Sequence, residues 1–249
     1  MESTIFAPRT SDDAERSAQT TRAVGAAALA LLIVALLMVF VVAPKAQDAS
    51  GGQAQRIFYF HVSAAWIAFS AWLVSAYGGV RYLRSRDMKW DHLAVASAEI
   101  GVMFIVMVLL TGMLWGRPTW NAWWTWDFKL TLSLLQFLMY LAYLVLRSGV
   151  ENPEQRARFS AVYGIIGSLT IPLNFLVSRV LQSIHPAVFG DSVNARQQGG
   201  FGLAGEMVPV LLFSLLTFTV FYVYFLRARI ALQEGADQIS LRRAELAAE

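Results

Sequence analysis

The chain has 249 residues, of which 57% are hydrophobic and only 15% charged, and its mean hydropathy is +0.51. A soluble domain carries about 25% charged residues, so this composition excludes an ordinary water-exposed surface, and a net charge of +3 gives no reason to expect nucleic acid. With no cysteine, the chain can form no disulfide, thiolate metal site, thiol redox centre or C-x-x-C-H haem attachment.

A polar segment, 1–22, opens the chain. Six apolar stretches follow, at 23–42, 57–79, 93–114, 128–146, 159–177 and 207–226. Each approaches the roughly 20 helical residues that a bilayer core requires, and the chain ends in a polar tail, 227–249. The stretches are separated by polar or turn-forming residues such as Pro44 with Lys45, Asn152-Pro153 and Gly199-Gly200. The first apolar run exceeds the 7–15 residues of a signal-peptide core, so an uncleaved helix is expected. These elements predict an all-α, polytopic integral membrane protein with six transmembrane helices. Fourteen of the twenty Lys and Arg residues fall on the side that carries both termini, and the positive-inside rule makes that side cytoplasmic. The expected topology is N-in/C-in, with 1–22 and 227–249 as cytoplasmic tails around the membrane domain 23–226.

Five of eight tryptophans crowd the outer loop 115–127: Trp115, Trp120, Trp123, Trp124 and Trp126. Gly116 and Pro118 are expected to break the helix there. An interfacial aromatic belt would spread tryptophans over both interfaces and several loops. Five in one loop point instead to a flat surface for a large, planar, apolar ligand. Asp127 has the position of an N-cap for the fourth helix.

The histidines sort by side. His61 lies about one turn into the second span and His185 in the loop between spans five and six, both on the outer face. His92 lies in an inner loop. At about 100° per residue, His61 shares a stripe with Ala64, Ala65, Ala68, Trp72, Ser75 and Gly79. Small residues mark a helix-packing face, and a polar group held inside a bundle is a functional candidate. Two imidazoles are an established axial pair for haem iron. Arg56 and Lys129 are the nearest cations in sequence for haem propionates, with Arg117, Arg179 and Arg196 further away. Glu99, in the inner part of span three, is expected to pair with Lys89 or an arginine there.

The loop Trp115–Asp127 with Phe128-Lys129-Leu130-Thr131 resembles the tryptophan-rich "WWD" signature of the haem-handling family of cytochrome c maturation. Arg56-Ile57-Phe58-Tyr59-Phe60-His61-Val62-Ser63-Ala64-Ala65-Trp66 and Ser183-Ile184-His185-Pro186 resemble the segments around that family's two haem-ligating histidines. The resemblance covers nearly the whole chain, with its length, six spans and N-in orientation. It departs in Asn121, where the family usually has glycine, in Lys129, where it has arginine, and in Val180-Leu181, which replace an aromatic pair.

The resemblance implies that His61 and His185 ligate the iron of a non-covalent, transiently held haem b. Trp115, Trp120, Trp123, Trp124, Trp126 and Asp127 would form the platform, and Arg56 and Lys129 would lie near the haem. It further implies an inner-membrane haem-delivery protein rather than an enzyme, with the site on the outer face. The implied partners are a periplasmic-side haem chaperone, ATP-binding cassette transporter subunits and a small single-span subunit. The chain contains no G-x-x-x-x-G-K-[ST] motif, so ATP hydrolysis would belong to a partner. Two other classes stay open. A b-type cytochrome needs histidine pairs at both ends of its spans. A transporter for another solute needs polar or broken helices at mid-membrane, and the spans offer little beyond Pro172 with Asn174.

Overall fold

A computed structural model describes residues 11–44, 52–181, 183–185 and 205–248. Lys45, Pro186, Arg196 and the Gly199-Gly200 pair lie outside the described residues. The regular elements are α1 (Ser11–Leu37), α2 (Ile57–Ser85), α3 (Met88–Trp120), α4 (Phe128–Ser148), α5 (Pro153–Ser168), α6 (Thr170–Val180) and α7 (Met207–Ala248). A π-helical turn, Met38–Val42, extends α1, and a 3-10 turn, Gly52–Arg56, leads into α2. With α5 and α6 counted as one span, six segments among the described residues are long and apolar enough to cross a membrane, as the sequence predicts.

Local chemistry accounts for most boundaries. Ala43, before Pro44, is extended at φ −57° and ψ 134°, because a following proline disfavours the helical region. Asp87 caps α3 by accepting from the Lys89 amide, and Asn152 caps α5 by accepting from Glu154 and Gln155, with Pro153 at the first helical position. Span five is broken at Leu169, three residues before Pro172, whose ring clashes with the carbonyl four residues earlier and which has no amide to donate. Both polar ends prove helical, from Ser11 at the start and as far as Ala248 at the finish.

The end of α3 differs from expectation. Gly116 and Pro118 do not break the helix, which runs on to Trp120. So near the end, Pro118 forfeits a single helical bond, and the turn stops where Asn121 adopts a left-handed φ of 56°.

α2 is the central helix, packed against α3, α5 and α7, while α1 lies on α7. Its small-residue stripe is buried as predicted except at Ala65, which is half-buried: Ala64, Ala68 and Trp72 are inaccessible, with Ser75 and Gly79 also inside. Trp72 stacks on Tyr140 at 4.1 Å between ring centres. Its indole lies where a Cβ on residue 101 would come within 2.4 Å, so Gly101 is what lets α3 approach. Charged pairs close the end opposite the tryptophan loop. Arg147 grips Asp91 with two hydrogen bonds of 2.7 and 2.8 Å, a charge-assisted fork. Glu99 takes Arg229 as its partner, at 2.5 and 2.9 Å, and Lys89 pairs with Asp87. His92 Nε2 lies 2.8 Å from Asp237, which ties α3 to the extended end of α7.

Candidate functional site

His61 is the fifth residue of α2 and, at 8% exposure, is buried against α3. Its Nδ1 is 3.0 Å from the Thr111 hydroxyl. Gly112 provides the room, since a Cβ there would lie 3.2 Å from the His61 ring. Trp115, on the next turn of α3, meets the imidazole edge-on at 5.9 Å.

His185 is brought to the same place by Asp127. One carboxylate oxygen accepts from the Lys129 and Leu130 amides, capping α4, and from the Ser183 hydroxyl at 2.8 Å. The other accepts from the Ile184 amide at 3.0 Å, and the Ser183 hydroxyl in turn accepts from the His185 amide. The ring centres of His61 and His185 come to lie 6.2 Å apart, with planes inclined by 35°.

Between them opens a largely apolar cleft of about 270 Å³. Trp115, Trp120, Trp123, Trp124, Lys129 and both histidines line it. Trp120 lies 6.4 Å from the His185 ring. Trp126 does not line the cleft; it is 77% exposed and braces Trp124 edge-on at 5.9 Å. Asp127 acts on the cleft through the backbone and Ser183 rather than from its wall.

The two cations nearest in sequence part company. Lys129 lines the cleft, its ammonium donating to the Asn174 carbonyl at 3.2 Å. Arg56 stands off it, its guanidinium donating to the Val39 carbonyl and Gln53 and lying over the Phe40 ring. Arg117 pairs with Asn121 and Arg179 donates to the Phe175 carbonyl, and neither lines the cleft.

Sequence reading passed over Phe69, Thr111 and Phe175, and the Leu211, Leu212 and Leu215 ridge of α7, all cleft or support residues. Trp66, which ends the segment that resembles the first haem-histidine region, also lines the cleft. Thr111 is the only hydroxyl between Ser97 and Thr119, which is a signal in an apolar span.

Comparison with known proteins decides the family. The profile described as Heme exporter protein C matches residues 7–244. The chain belongs to the haem exporter protein C family. It is 32% identical to Heme exporter protein C of Bradyrhizobium diazoefficiens over 198 residues, covering 80% of this chain and 73% of that one. Over 123 residues it is 36% identical to the Paracoccus denitrificans protein of the same name, covering 49% of this chain and 51% of that one. A ccmC-like mitochondrial protein of Marchantia polymorpha, named for cytochrome c biosynthesis, is 32% identical over 143 residues, or 57% of this chain and 59% of that one. The family match takes in all six spans, both cleft histidines and the whole tryptophan loop.

Proposed function

We propose that this protein holds haem non-covalently between His61 and His185 and hands it on in the maturation of cytochromes c. The observation that carries the reading is the spacing of the two imidazoles. A ring nitrogen sits about 2 Å from a bound transition metal and roughly 1 Å from its own ring centre, so two axial imidazoles place their centres about 6 Å apart. The 6.2 Å between His61 and His185 meets that requirement. The apolar, tryptophan-lined cleft suits the faces of a macrocycle.

In this reading haem is the cargo. Trp115, Trp120, Trp123 and Trp124 receive the porphyrin plane, Trp126 supports Trp124, and Asp127 holds His185 in place. Lys129 supplies a positive charge for a propionate, without the bidentate fork of an arginine. Arg56 fixes the entry to α2 instead. No thiolate is available for a covalent bond, which suits release of haem b to an acceptor.

The positive-inside pattern and the family resemblance support an inner-membrane protein with the cleft on the outer face. A periplasmic-side haem chaperone would take the haem there. ATP-binding cassette subunits and a single-span subunit would be its membrane partners, and the chain itself would be a carrier rather than an enzyme. A cytochrome b that relays electrons through two bis-histidine haems is a poorer fit, because three histidines cannot make two pairs.

Visible absorption spectra of the detergent-purified protein test the proposal. Wild type should show a Soret band that weakens or shifts in both His61→Ala and His185→Ala. Absence of haem from wild type after supplementation, or two variants indistinguishable from it, would overturn the reading.

A further inference from the structure

We infer that Thr111 is a positioning residue that selects the tautomer of His61. The inference rests on the haem reading only for its functional consequence. The Thr111 hydroxyl oxygen lies 2.7 Å from the Met107 carbonyl, 3.3 Å from the Val108 carbonyl and 3.0 Å from His61 Nδ1. A hydroxyl has one proton to give. At 2.7 Å the Met107 carbonyl must receive it, since otherwise two oxygen lone pairs would face each other inside the bundle, an unmade bond of the kind buried groups avoid. The hydroxyl can then only accept, so Nδ1 must be the donor. A neutral imidazole with its proton on Nδ1 keeps its lone pair on Nε2.

The rest of the pocket keeps the ring in this arrangement. α3 presents Gly112 to the edge that carries Cε1, with space for a hydrogen but not for an unstrained methyl group at 3.2 Å. Trp115 closes against the ring from one turn further on. Nε2 is therefore the nitrogen left for iron. The hydrogen bond from Nδ1 raises its basicity, as the outer partner of a metal-binding histidine commonly does. α3 thus supports the ligand that α2 supplies.

The test begins with the full chain free of haem, labelled with ¹⁵N at its three histidines and with His61 assigned from the signals lost in His61→Ala. NMR should report the Nδ1–H tautomer for His61 in wild type and in Thr111→Ser. Thr111→Val keeps the shape and removes the hydroxyl acceptor, leaving the ring only the Val108 carbonyl, and it should shift the population toward Nε2–H. Haem titration should then show a 10–100-fold weaker affinity for Thr111→Val, restored in Thr111→Ser. A purely structural role would lower the melting temperature of Thr111→Val without moving the tautomer signals. An Nε2–H tautomer in wild type, or a Thr111→Val protein with wild-type haem affinity, would overturn the inference. Should Thr111→Val fail to fold, Thr111→Ala, which also lacks the hydroxyl, takes its place in both measurements with the same outcomes deciding. A wild-type protein with the Nδ1–H tautomer but no haem affinity would sink the haem reading and leave the tautomer assignment standing.

Discussion

Asp127 meets two demands with one carboxylate. It caps α4 through the Lys129 and Leu130 amides, and it anchors the His185 segment through the Ser183 hydroxyl and the Ile184 amide. The two roles separate by substitution. Asp127→Ala removes both, and loss of the cap alone costs about 1 kcal/mol. Asp127→Asn can keep an oxygen toward α4, but then turns its amide toward the Ile184 N–H, donor against donor. Asp127→Asn is therefore expected to melt closer to wild type than Asp127→Ala does. Its haem spectrum should still shift in the direction of His185→Ala, and a spectrum identical to wild type would count against the anchor. At this scale the candidate site was readable where rare residue types gather, as with the tryptophans and the two outer histidines. The second role of Asp127 was not readable, because Ser183 and Ile184 are more than fifty positions away in sequence and only the fold brings them near. Thr111 was hidden for the same reason, its partner lying on another helix.

The end of α3 shows what local rules miss at the scale of an element. Gly116 and Pro118 are breakers by propensity, yet the helix passes both, because a proline near the last turn forfeits only one helical hydrogen bond. The true stop is Asn121 in the left-handed region. Asparagine tolerates that conformation better than other residues with a Cβ, and glycine tolerates it at no steric cost, which is why an asparagine can stand where the family resemblance has glycine. Asn121→Gly, with no Cβ to strain, is expected to melt no lower than wild type, and Asn121→Val to cost about 1–2 kcal/mol. Melting in detergent would measure both. Because Trp120 and Trp123 flank this turn, Asn121→Val should also weaken haem uptake, whereas an Asn121→Val protein as stable as wild type would contradict the left-handed stop. Span five teaches the converse. Pro172 does break it, well inside the membrane segment, where the apolar run from 159 to 177 gives no sign of interruption apart from the proline itself.

Across the whole molecule, α4 carries a polar face that runs from the cleft to the opposite end. Lys129, Ser133, Gln136, Tyr140, Tyr143 and Arg147 recur at alternating intervals of four and three, the spacing of one helix face. Asn174 of α6 bonds Ser133 and Gln136, Gln136 bonds Thr170, and Arg147 holds Asp91. Gln136 and Asn174 are inaccessible, while Leu135, Leu138 and Val145 face outward. The mid-membrane polar content is thus greater than Pro172 with Asn174 suggests, but most of its groups bond across to neighbouring helices and so act as interhelical glue. The proposed orientation then follows from where the charges stop. The end with Asp91, Glu99, Arg147 and Arg229 would face the cytoplasm, and the tryptophan end the outside. A chain without cysteines makes this directly measurable, since any thiol introduced is the only one present. Arg117→Cys and Arg84→Cys both change exposed residues, at opposite ends of the bundle. In intact cells with a permeabilised outer membrane, an impermeant maleimide should label Arg117→Cys at once and Arg84→Cys only after the inner membrane is opened. The reverse pattern would place the cleft on the cytoplasmic side, and delivery to a periplasmic acceptor would then require the haem to cross the bilayer after leaving it.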